Sequence, residues 1–146
     1  AGEEDAALLG GLLAIMQADR VDYPRLFRSL GQFNSTPGED NSPLRDQFID
    51  RAAFDAWAAA YRTRLQAEQS VDGERRRRMD GVNPKYILRN YLAQIAIRQA
   101  EQSRGFSEVE RLLELLKRPY DEQPELESYA ALPPDWARQI EVSCSS

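Results

Sequence analysis

The chain has 146 residues, the length of one ordinary globular domain with a hydrophobic core of its own. It contains no histidine, which excludes histidine acid–base catalysis, histidine-activated nucleophiles and imidazole metal ligands. The single cysteine, Cys144, excludes an internal disulfide and a zinc site built from several thiolates. The net charge of −5 comes entirely from residues 119–146, because residues 1–118 carry 18 acidic and 18 basic side chains. No apolar run is long enough to cross a membrane, so we expect no membrane partner.

The composition favours helices over strands. Ala and Leu together number 34, whereas the β-branched residues Val, Ile and Thr number only 13. We therefore expect an all-α fold, a compact bundle of about five to six helices followed by an irregular C-terminal tail docked on it. The change in charge and composition divides the chain into a helical domain, 1–118, and an acidic tail, 119–146.

In the first half of the chain, the apolar spacing predicts a helix over about residues 3–18. Asp22 followed by Pro24 predicts a second helix that ends at Leu30, and the Gly- and Asn-rich stretch after it predicts a loop. Ser42-Pro43 predicts the start of a third helix, which runs to Gln69 with one break. Apolar residues in that segment recur at steps of three and four and predict a core face: Phe54, Trp57, Ala58, Tyr61 and Leu65.

In the second half, Asn83-Pro84 predicts the start of the best-patterned helix, which buries Tyr91 and Leu92 and ends near Gly105. Ser107 and Glu110 have the spacing of a capping box, so we expect another helix there, which Pro119 ends. Its predicted buried stripe is Leu112, Leu113 and Leu116. Isolated apolar residues then predict that the acidic tail is docked: Tyr120, Leu126, Tyr129, Trp136, Ile140 and Val142.

The dense basic run Arg75–Arg78 has two interpretations. Adjacent arginines could contact phosphates or nucleic acid through bidentate guanidinium groups. They could equally form a solvated helical turn that pairs with Asp72, Glu74 and Asp80. Since residues 1–118 have no basic excess, we favour the solvated turn, expect all four arginines to be exposed, and expect no nucleic-acid partner.

Other residues that could carry chemistry have simpler explanations. Trp57, Tyr86 and Tyr91 could form a stacking platform with Arg89, but aromatic residues at helical spacing are more often core. The adjacent acids Asp121 and Glu122 could serve catalysis or bind Mg²⁺, but neighbours on an irregular segment rarely converge. Gly10-Gly11 lacks the Lys-Ser/Thr of a phosphate loop. We therefore expect no catalytic, nucleotide-binding or metal-binding residue in this chain, and no cofactor bound by it.

Several long and unusual runs carry a resemblance to a known family. They are Asn83–Gln94, Pro119–Pro124, Pro133–Trp136 and the closing Ser143-Cys144-Ser145-Ser146, with weaker likeness at Asp22–Leu30 and Trp57–Glu68. These runs resemble the C-terminal region of the selenoprotein O family, known in bacteria as the YdiU family. The resemblance covers most of the chain and is weakest in the loop at Gly31–Asn41.

The resemblance implies a longer parent with a protein-kinase-like fold that acts as a protein adenylyltransferase. Such enzymes bind ATP in a flipped orientation with Mg²⁺ and transfer AMP to Ser, Thr or Tyr hydroxyls of other proteins. The family's catalytic residues lie upstream of the region matched here. Animal members carry selenocysteine at the third position from the end, where this chain has Cys144. Bacterial relatives with Cys there resemble redox-regulated enzymes, which implies a disulfide between Cys144 and a cysteine in the catalytic part.

Our first hypothesis is a non-catalytic C-terminal domain whose partners are the kinase-like part of the same chain and, for the parent, its protein substrates. The alternative is a free-standing helical protein-interaction module. The acidic start is not that of a signal peptide, and the missing initiator Met suggests a piece of a longer protein. A bacterial parent would be cytoplasmic, and eukaryotic relatives mitochondrial.

Overall fold

A computed structural model describes residues 2–102 and 105–137 of the chain, and these residues are mainly helical. The elements in chain order are α1 (Gly2–Asp19), α2 (Tyr23–Leu30), α3 (Ser42–Arg45), α4 (Arg51–Ala67), α5 (Asp72–Asp80), α6 (Asn90–Glu101), α7 (Ser107–Leu116) and a 3₁₀ helix (Pro124–Ala130). No strand occurs within the described ranges, which confirms the predicted all-α class. The predicted helix with one break is two helices, α3 and α4.

The chain divides into two compact units, Ala1–Asn83 and Pro84–Ser146. This division differs from the one drawn from charge at residue 118. Residues beyond 118 fold back onto α7: the Gln123 side chain donates hydrogen bonds to the carbonyls of Leu115 and Arg118, at 3.1 and 3.0 Å. The first part of the acidic segment is therefore in the same unit as α6 and α7.

The first unit is organised around Trp57 on α4. Helix α4 packs against α1. The indole N–H of Trp57 donates to the carbonyl of Leu8 at 2.9 Å, and its ring stacks on Tyr61 with centroids 4.9 Å apart. Phe54 is fully buried beside it, and Leu65 is 3% exposed. The core face predicted for this helix is confirmed, because aromatic rings at steps of three and four all point to one side.

Aspartate side chains start two helices of this unit. The Asp22 carboxylate accepts a hydrogen bond from the backbone N–H of Arg25, and the Asp50 carboxylate accepts one from that of Ala53. Each bond satisfies an amide that the first turn of a helix leaves without a partner. The start predicted from Asp22 and Pro24 is thereby confirmed, with Pro24 in the first turn of α2.

A close approach joins the end of α2 to the end of α5. A Cβ atom on Gly31 would lie 2.7 Å from Oδ1 of Asp80, so no larger residue fits there without displacing that side chain. Arg28, on the last turn of α2, donates to the carbonyls of Asp80 and Asn83, at 2.8 and 3.1 Å. The guanidinium thus satisfies carbonyls that the end of α5 leaves open.

The predicted start of the best-patterned helix at Asn83-Pro84 is wrong, because α6 begins at Asn90. The backbone N–H groups of Lys85 and Tyr86 both donate to the carbonyl of Pro119, at 2.9 and 3.2 Å. A contact with a residue more than thirty positions away therefore holds residues 84–89 outside the helix. The expected burial of Tyr91 and Leu92 is confirmed, at 7% and 8% exposure.

The predicted caps at the end of α6 and at the start of α7 are both wrong. Gly105 has a φ of +91°, but the C-cap of α6 is Gln102. The N-cap of α7 is Phe106 and not Ser107. The side-chain amide of Gln99 donates to the hydroxyl of Ser107 and accepts a hydrogen bond from the backbone N–H of Glu108. A donor and acceptor from the neighbouring helix thus take the place of the predicted capping box.

The buried stripe of α7 is shifted by comparison with the prediction. Leu112 and Leu115 are buried, at 6% and 0% exposure, whereas Leu113 is 59% exposed and Leu116 is half-buried. Spacing alone does not show which neighbours of Leu112 share its buried face, and the prediction chose the wrong side of the helix. Leu113 therefore lies outside the hydrophobic core.

The acidic segment docks through part of the predicted apolar set. Leu126 and Tyr129 pack against the core of the second unit, and the ring of Trp136 meets Tyr91 edge-on with centroids 6.0 Å apart. Tyr120 and Trp136 stay 44% and 49% exposed. Ile140 and Val142 lie outside the described residues.

Replacing Leu92 by Ala is expected to lower the free energy of unfolding of this chain by about 2–5 kcal/mol, because it leaves a cavity in the core of the second unit. The matched control on the same helix is Ile97→Ala, where the side chain is 50% exposed and a change within about 0.5 kcal/mol is expected. Urea denaturation followed by circular dichroism measures both. Equal losses in the two variants would contradict the assigned face of α6.

Candidate functional site

The basic run of α5 contains one buried arginine and three exposed ones. Arg75 is only 3% exposed, and its guanidinium donates to the carbonyl of Phe33, the hydroxyl of Ser70 and the carboxylate of Asp72, at 2.7, 2.9 and 2.7 Å. The expectation that all four arginines are solvated is therefore wrong for Arg75. A buried guanidinium needs several acceptors, and a loop carbonyl, a hydroxyl and a carboxylate supply them here.

Asp72 links this arginine to the loop that follows α2. Its carboxylate accepts hydrogen bonds from the amide and the hydroxyl of Ser35, at 3.0 and 2.7 Å, as well as from Arg75. Burial by itself would raise the pKa of Asp72, but the bonds from Ser35 and Arg75 outweigh it and lower the pKa. Asp72 thus remains ionised at neutral pH, which suits a structural ion pair and not a general base.

The other three arginines of the run lie at the surface, as expected. Arg76 is paired with Asp80 at 3.6 Å, and Arg77 and Arg78 are exposed. Because α5 turns by about 100° per residue, these side chains point in different directions and form no continuous basic stripe. The absence of a nucleic-acid partner stays a prediction.

In the second unit, the buried polar centre is formed by Tyr86 and Gln123. The Tyr86 hydroxyl accepts from the backbone amide of Gln123 at 3.0 Å and lies 3.2 Å from the carbonyl of the same residue. Tyr86 is 1% exposed and Gln123 is 3% exposed. Both residues therefore stabilise the fold of the second unit, since every polar group named here has a hydrogen-bond partner inside it.

Lys85 stands at the edge of this centre and joins it to the acidic segment. Its ammonium group forms ion pairs with Glu122 and, at 2.7 Å, with Glu127. Partial burial would lower the pKa of Lys85, but the hydrogen bonds to the two carboxylates raise it above its usual value. Lys85 is therefore permanently charged near neutral pH, and one of the acids considered for catalysis, Glu122, is its partner.

Two cavities open on the first unit, and each is lined by charged side chains. The larger, of 370 Å³, is lined by Gly38, Glu39, Asp40, Arg45, Asp55, Ala58 and Arg62. In it Arg45 holds Asp55 through two hydrogen bonds, at 2.9 and 3.2 Å, and Arg62 donates to the carbonyl of Glu39. The smaller, of 190 Å³, lies at the start of α5 beside Asp72 and Arg76. In the smaller cavity Asp72 pairs with Arg75 and Arg76 pairs with Asp80.

The residues considered as a stacking platform are core residues. Trp57, Tyr86 and Tyr91 are at most 9% exposed, and Trp57 belongs to the first unit whereas the two tyrosines belong to the second. Arg89 is 7% exposed and is itself buried. The core interpretation is confirmed, since no aromatic face among these three is open for stacking.

Within residues 2–102 and 105–137, no group of three His, Cys, Asp or Glu side chains is placed to hold a metal ion. None of the helices in these ranges is long and apolar enough to span a membrane. Cys144 lies outside the described residues, so its predicted redox role stays a prediction. The same holds for the prediction that the chain carries no catalytic or nucleotide-binding residue.

Sequence reasoning missed Arg75 and Gln123 as the polar centres of the two units. Arg75 was hidden in a run of four identical residues, and only its position one turn after Asp72 distinguished it. Gln123 stands between acids and Pro124 in a segment whose composition indicates a loop. No local signal marks it, because its acceptors are the carbonyls at the end of α7.

Comparison with known proteins gives consistent matches. Residues 1–117 match the profile of a family described as "Protein adenylyltransferase SelO". The chain is 56% identical over 144 residues to a "Protein nucleotidyltransferase YdiU" of Cupriavidus pinatubonensis, which is 99% of this chain and 28% of that protein. It is 57% identical over 142 residues to the protein of that name in Burkholderia multivorans, covering 97% of this chain and 27% of the relative. It is 54% identical over 143 residues to the protein of that name in Herminiimonas arsenicoxydans, covering 98% of this chain and 28% of the relative.

Replacing Arg75 by Ala is expected to lower the free energy of unfolding by about 2–4 kcal/mol, because the Phe33 carbonyl and the Asp72 carboxylate lose a charged donor. Arg77→Ala, on the same helix and exposed, is the matched control and is expected to change it by less than about 0.5 kcal/mol. Chemical denaturation of both variants measures the difference. An Arg75 variant as stable as the Arg77 variant would show that the buried guanidinium does not stabilise the unit.

Proposed function

Because the chain belongs to the SelO family of protein adenylyltransferases, we propose that it is the non-catalytic C-terminal region of an enzyme that transfers AMP from ATP to protein hydroxyls. The family is one of protein nucleotidyltransferases, and the chain spans about 28% of the length of the curated relatives it matches. That match over nearly the whole chain is the observation that carries the proposal. The transfer to Ser, Thr or Tyr and the use of Mg²⁺ rest on the resemblance of Asn83–Gln94 and Pro119–Pro124 to the family.

The proposed non-catalytic role is supported by the acids of the two polar centres, which are engaged in ion pairs within the chain. Nucleotidyl transfer needs carboxylates that converge on Mg²⁺ and cations placed around the phosphates. Asp72 is held by Ser35 and Arg75, and Glu122 and Glu127 share the one ammonium group of Lys85, so each of these acids is already engaged with a protein partner. We therefore assign the chemistry to the part of the parent outside this chain.

We propose that the role of the chain is to brace the kinase-like part of the parent. Each unit has a buried polar centre, at Arg75 and at Tyr86 with Gln123, that holds irregular segments in one conformation. Such segments keep a fixed shape only when their buried backbone groups are satisfied. As the curated relatives are bacterial and an enzyme of this kind draws on cellular ATP, we place the parent in the bacterial cytoplasm.

The expected activities of the chain and of its parent differ. Incubated with ATP labelled at the α-phosphate, Mg²⁺ and casein, residues 1–146 alone should transfer no label to protein, whereas the full-length parent should label itself or the casein. ATP labelled at the γ-phosphate is the control, because AMP transfer leaves that phosphate in pyrophosphate. Labelling by the pure chain would overturn its non-catalytic role, and γ-label on protein would indicate a kinase instead.

We propose further that Cys144 is a redox-regulatory thiol of the parent. The support is the resemblance of the closing residues to family members with selenocysteine at this position. In the proposed step the thiols of Cys144 and of a cysteine in the catalytic part join in a disulfide. Their two electrons and two protons pass to glutathione disulfide, which is reduced to two glutathione molecules.

The redox proposal predicts that oxidation by glutathione disulfide changes AMP transfer by the parent, and that Cys144→Ser abolishes the change. Mass spectrometry of the oxidised protein should find Cys144 joined to a cysteine outside this chain. Ser145→Ala is the matched control and should respond as the unsubstituted parent does. If Cys144 is free in the oxidised protein and the Cys144→Ser variant responds normally, the thiol has no such role.

A further inference from the structure

Helix α7 and its N-cap residue Phe106 carry a second apolar stripe that the described residues of the second unit cover only in part. The stripe consists of Phe106, Val109, Leu113 and Leu116, at successive steps of three, four and three residues. Phe106 is 63% exposed and Leu113 is 59% exposed, whereas Val109 and Leu116 are half-buried at the margin of the core. These four residues lie beside the buried pair Leu112 and Leu115, so that α7 is apolar over two adjacent faces.

The spacing of this stripe is that of a helix-packing face. Alternating steps of three and four residues keep side chains in line along a helix and match the seam by which two helices pack at a shallow angle. One apolar face of α7 already packs in the second unit, through Leu112 and Leu115. A second face of the same kind, with a Phe and a Leu more than half exposed, is typical of a surface that another protein segment covers.

The charges along the stripe indicate the chemistry of the segment that covers it. Glu110 and Glu114 flank Leu113 on the side away from the core, and both are exposed. Glu114 is paired with Lys117 at 2.7 Å, whereas Glu110 has no ion-pair partner among the residues that the structure describes. A helix with an apolar stripe and a basic residue beside it would complement both features.

The size of the stripe favours a segment of the same chain over a second copy. Helix α7 has 10 residues and is about 15 Å long, so one face of it buries far less than the roughly 1,200–2,000 Å² of a stable complex between separate chains. A segment tethered in the same chain needs no such area, because the tether supplies a high effective concentration. The curated relatives are more than three times as long as this chain, so most of the parent is available to provide it.

We propose that the stripe formed by Phe106, Val109, Leu113 and Leu116 is the docking face for an amphipathic helix of the parent chain outside residues 1–146, with a Lys or Arg opposite Glu110. This inference rests on the proposed function, because it takes the chain to be part of a longer enzyme. It adds the surface of this chain that is covered in the parent and the chemistry of the segment that covers it.

The test is photo-crosslinking in the full-length parent with p-benzoyl-phenylalanine at position 106, which keeps an aromatic ring at the site. The expected result is a crosslink to one peptide of the same molecule outside residues 1–146, with a Lys or Arg within one helical turn of the attachment point. The crosslink should disappear when the protein is irradiated in urea. Crosslinks only within residues 1–146, none at all, or crosslinks between labelled and unlabelled copies in an isotope mixture would overturn the proposal.

The charge complement is tested by a matched pair of variants of the parent. Glu110→Lys places two cations opposite each other and is expected to lower the Tm by at least about 2 °C more than the neutral change Glu110→Gln does. Because Glu110 lies in the first turn of α7, where a cation is unfavourable by itself, the same pair of changes at Glu3 in the first turn of α1 is the control, and the difference at position 110 should exceed that at position 3. Equal Tm values of the two variants would refute the proposal that a basic residue lies opposite Glu110. AMP transfer by the unsubstituted parent tests the proposed function separately, so an active enzyme without the crosslink would refute the docking face alone.

Discussion

A backbone carbonyl that is buried away from water must find a hydrogen-bond donor, and this constraint determines how both units hold their irregular segments. In the first unit the donor is the guanidinium of Arg75, which reaches the carbonyl of Phe33 in the loop after α2. In the second unit it is the amide of Gln123, which reaches the carbonyls of Leu115 and Arg118 at the end of α7. In each case one long polar side chain connects a loop to a helix, and in the second unit the carbonyls it reaches are those that a helix end leaves free.

Several charged side chains meet the same constraint. Asp22 and Asp50 cap helices, Asp72 holds Ser35 and Arg75, and the acidic segment supplies partners for Lys85. The lowered pKa of Asp72 and the raised pKa of Lys85 both stabilise the charged state at neutral pH. Groups tuned in this direction favour ion pairing, whereas an acid or base catalyst needs a pKa near the working pH. Asp22, Asp50, Asp72 and Lys85 therefore stabilise the fold of the two units.

The apolar residues give a complementary result. Units of this size bury a modest core, and the second one leaves Phe106, Leu113 and Trp136 about half exposed or more. Exposed large side chains at helical spacing are expected where a domain is one part of a larger folded chain. This agrees with relatives that are more than three times as long as the chain. The described part of the acidic segment also belongs to this arrangement, because Leu126 and Tyr129 pack against the core of the second unit.

Patterns within one helical turn or face determined the helical class, the start of α2 at Asp22, the aromatic face of α4 and the burial of Tyr91 and Leu92. These features depend on residues three or four positions apart, which periodicity and capping rules describe directly. Long runs such as Asn83–Gln94 also carried the family resemblance. The candidate polar centres could not be predicted in this way. Arg75 is buried because a carbonyl 42 positions away accepts a hydrogen bond from it, and α6 begins late because the amides of Lys85 and Tyr86 donate to the carbonyl of Pro119. Only the tertiary structure decided these features, since a contact between distant segments leaves no periodic trace in either of them.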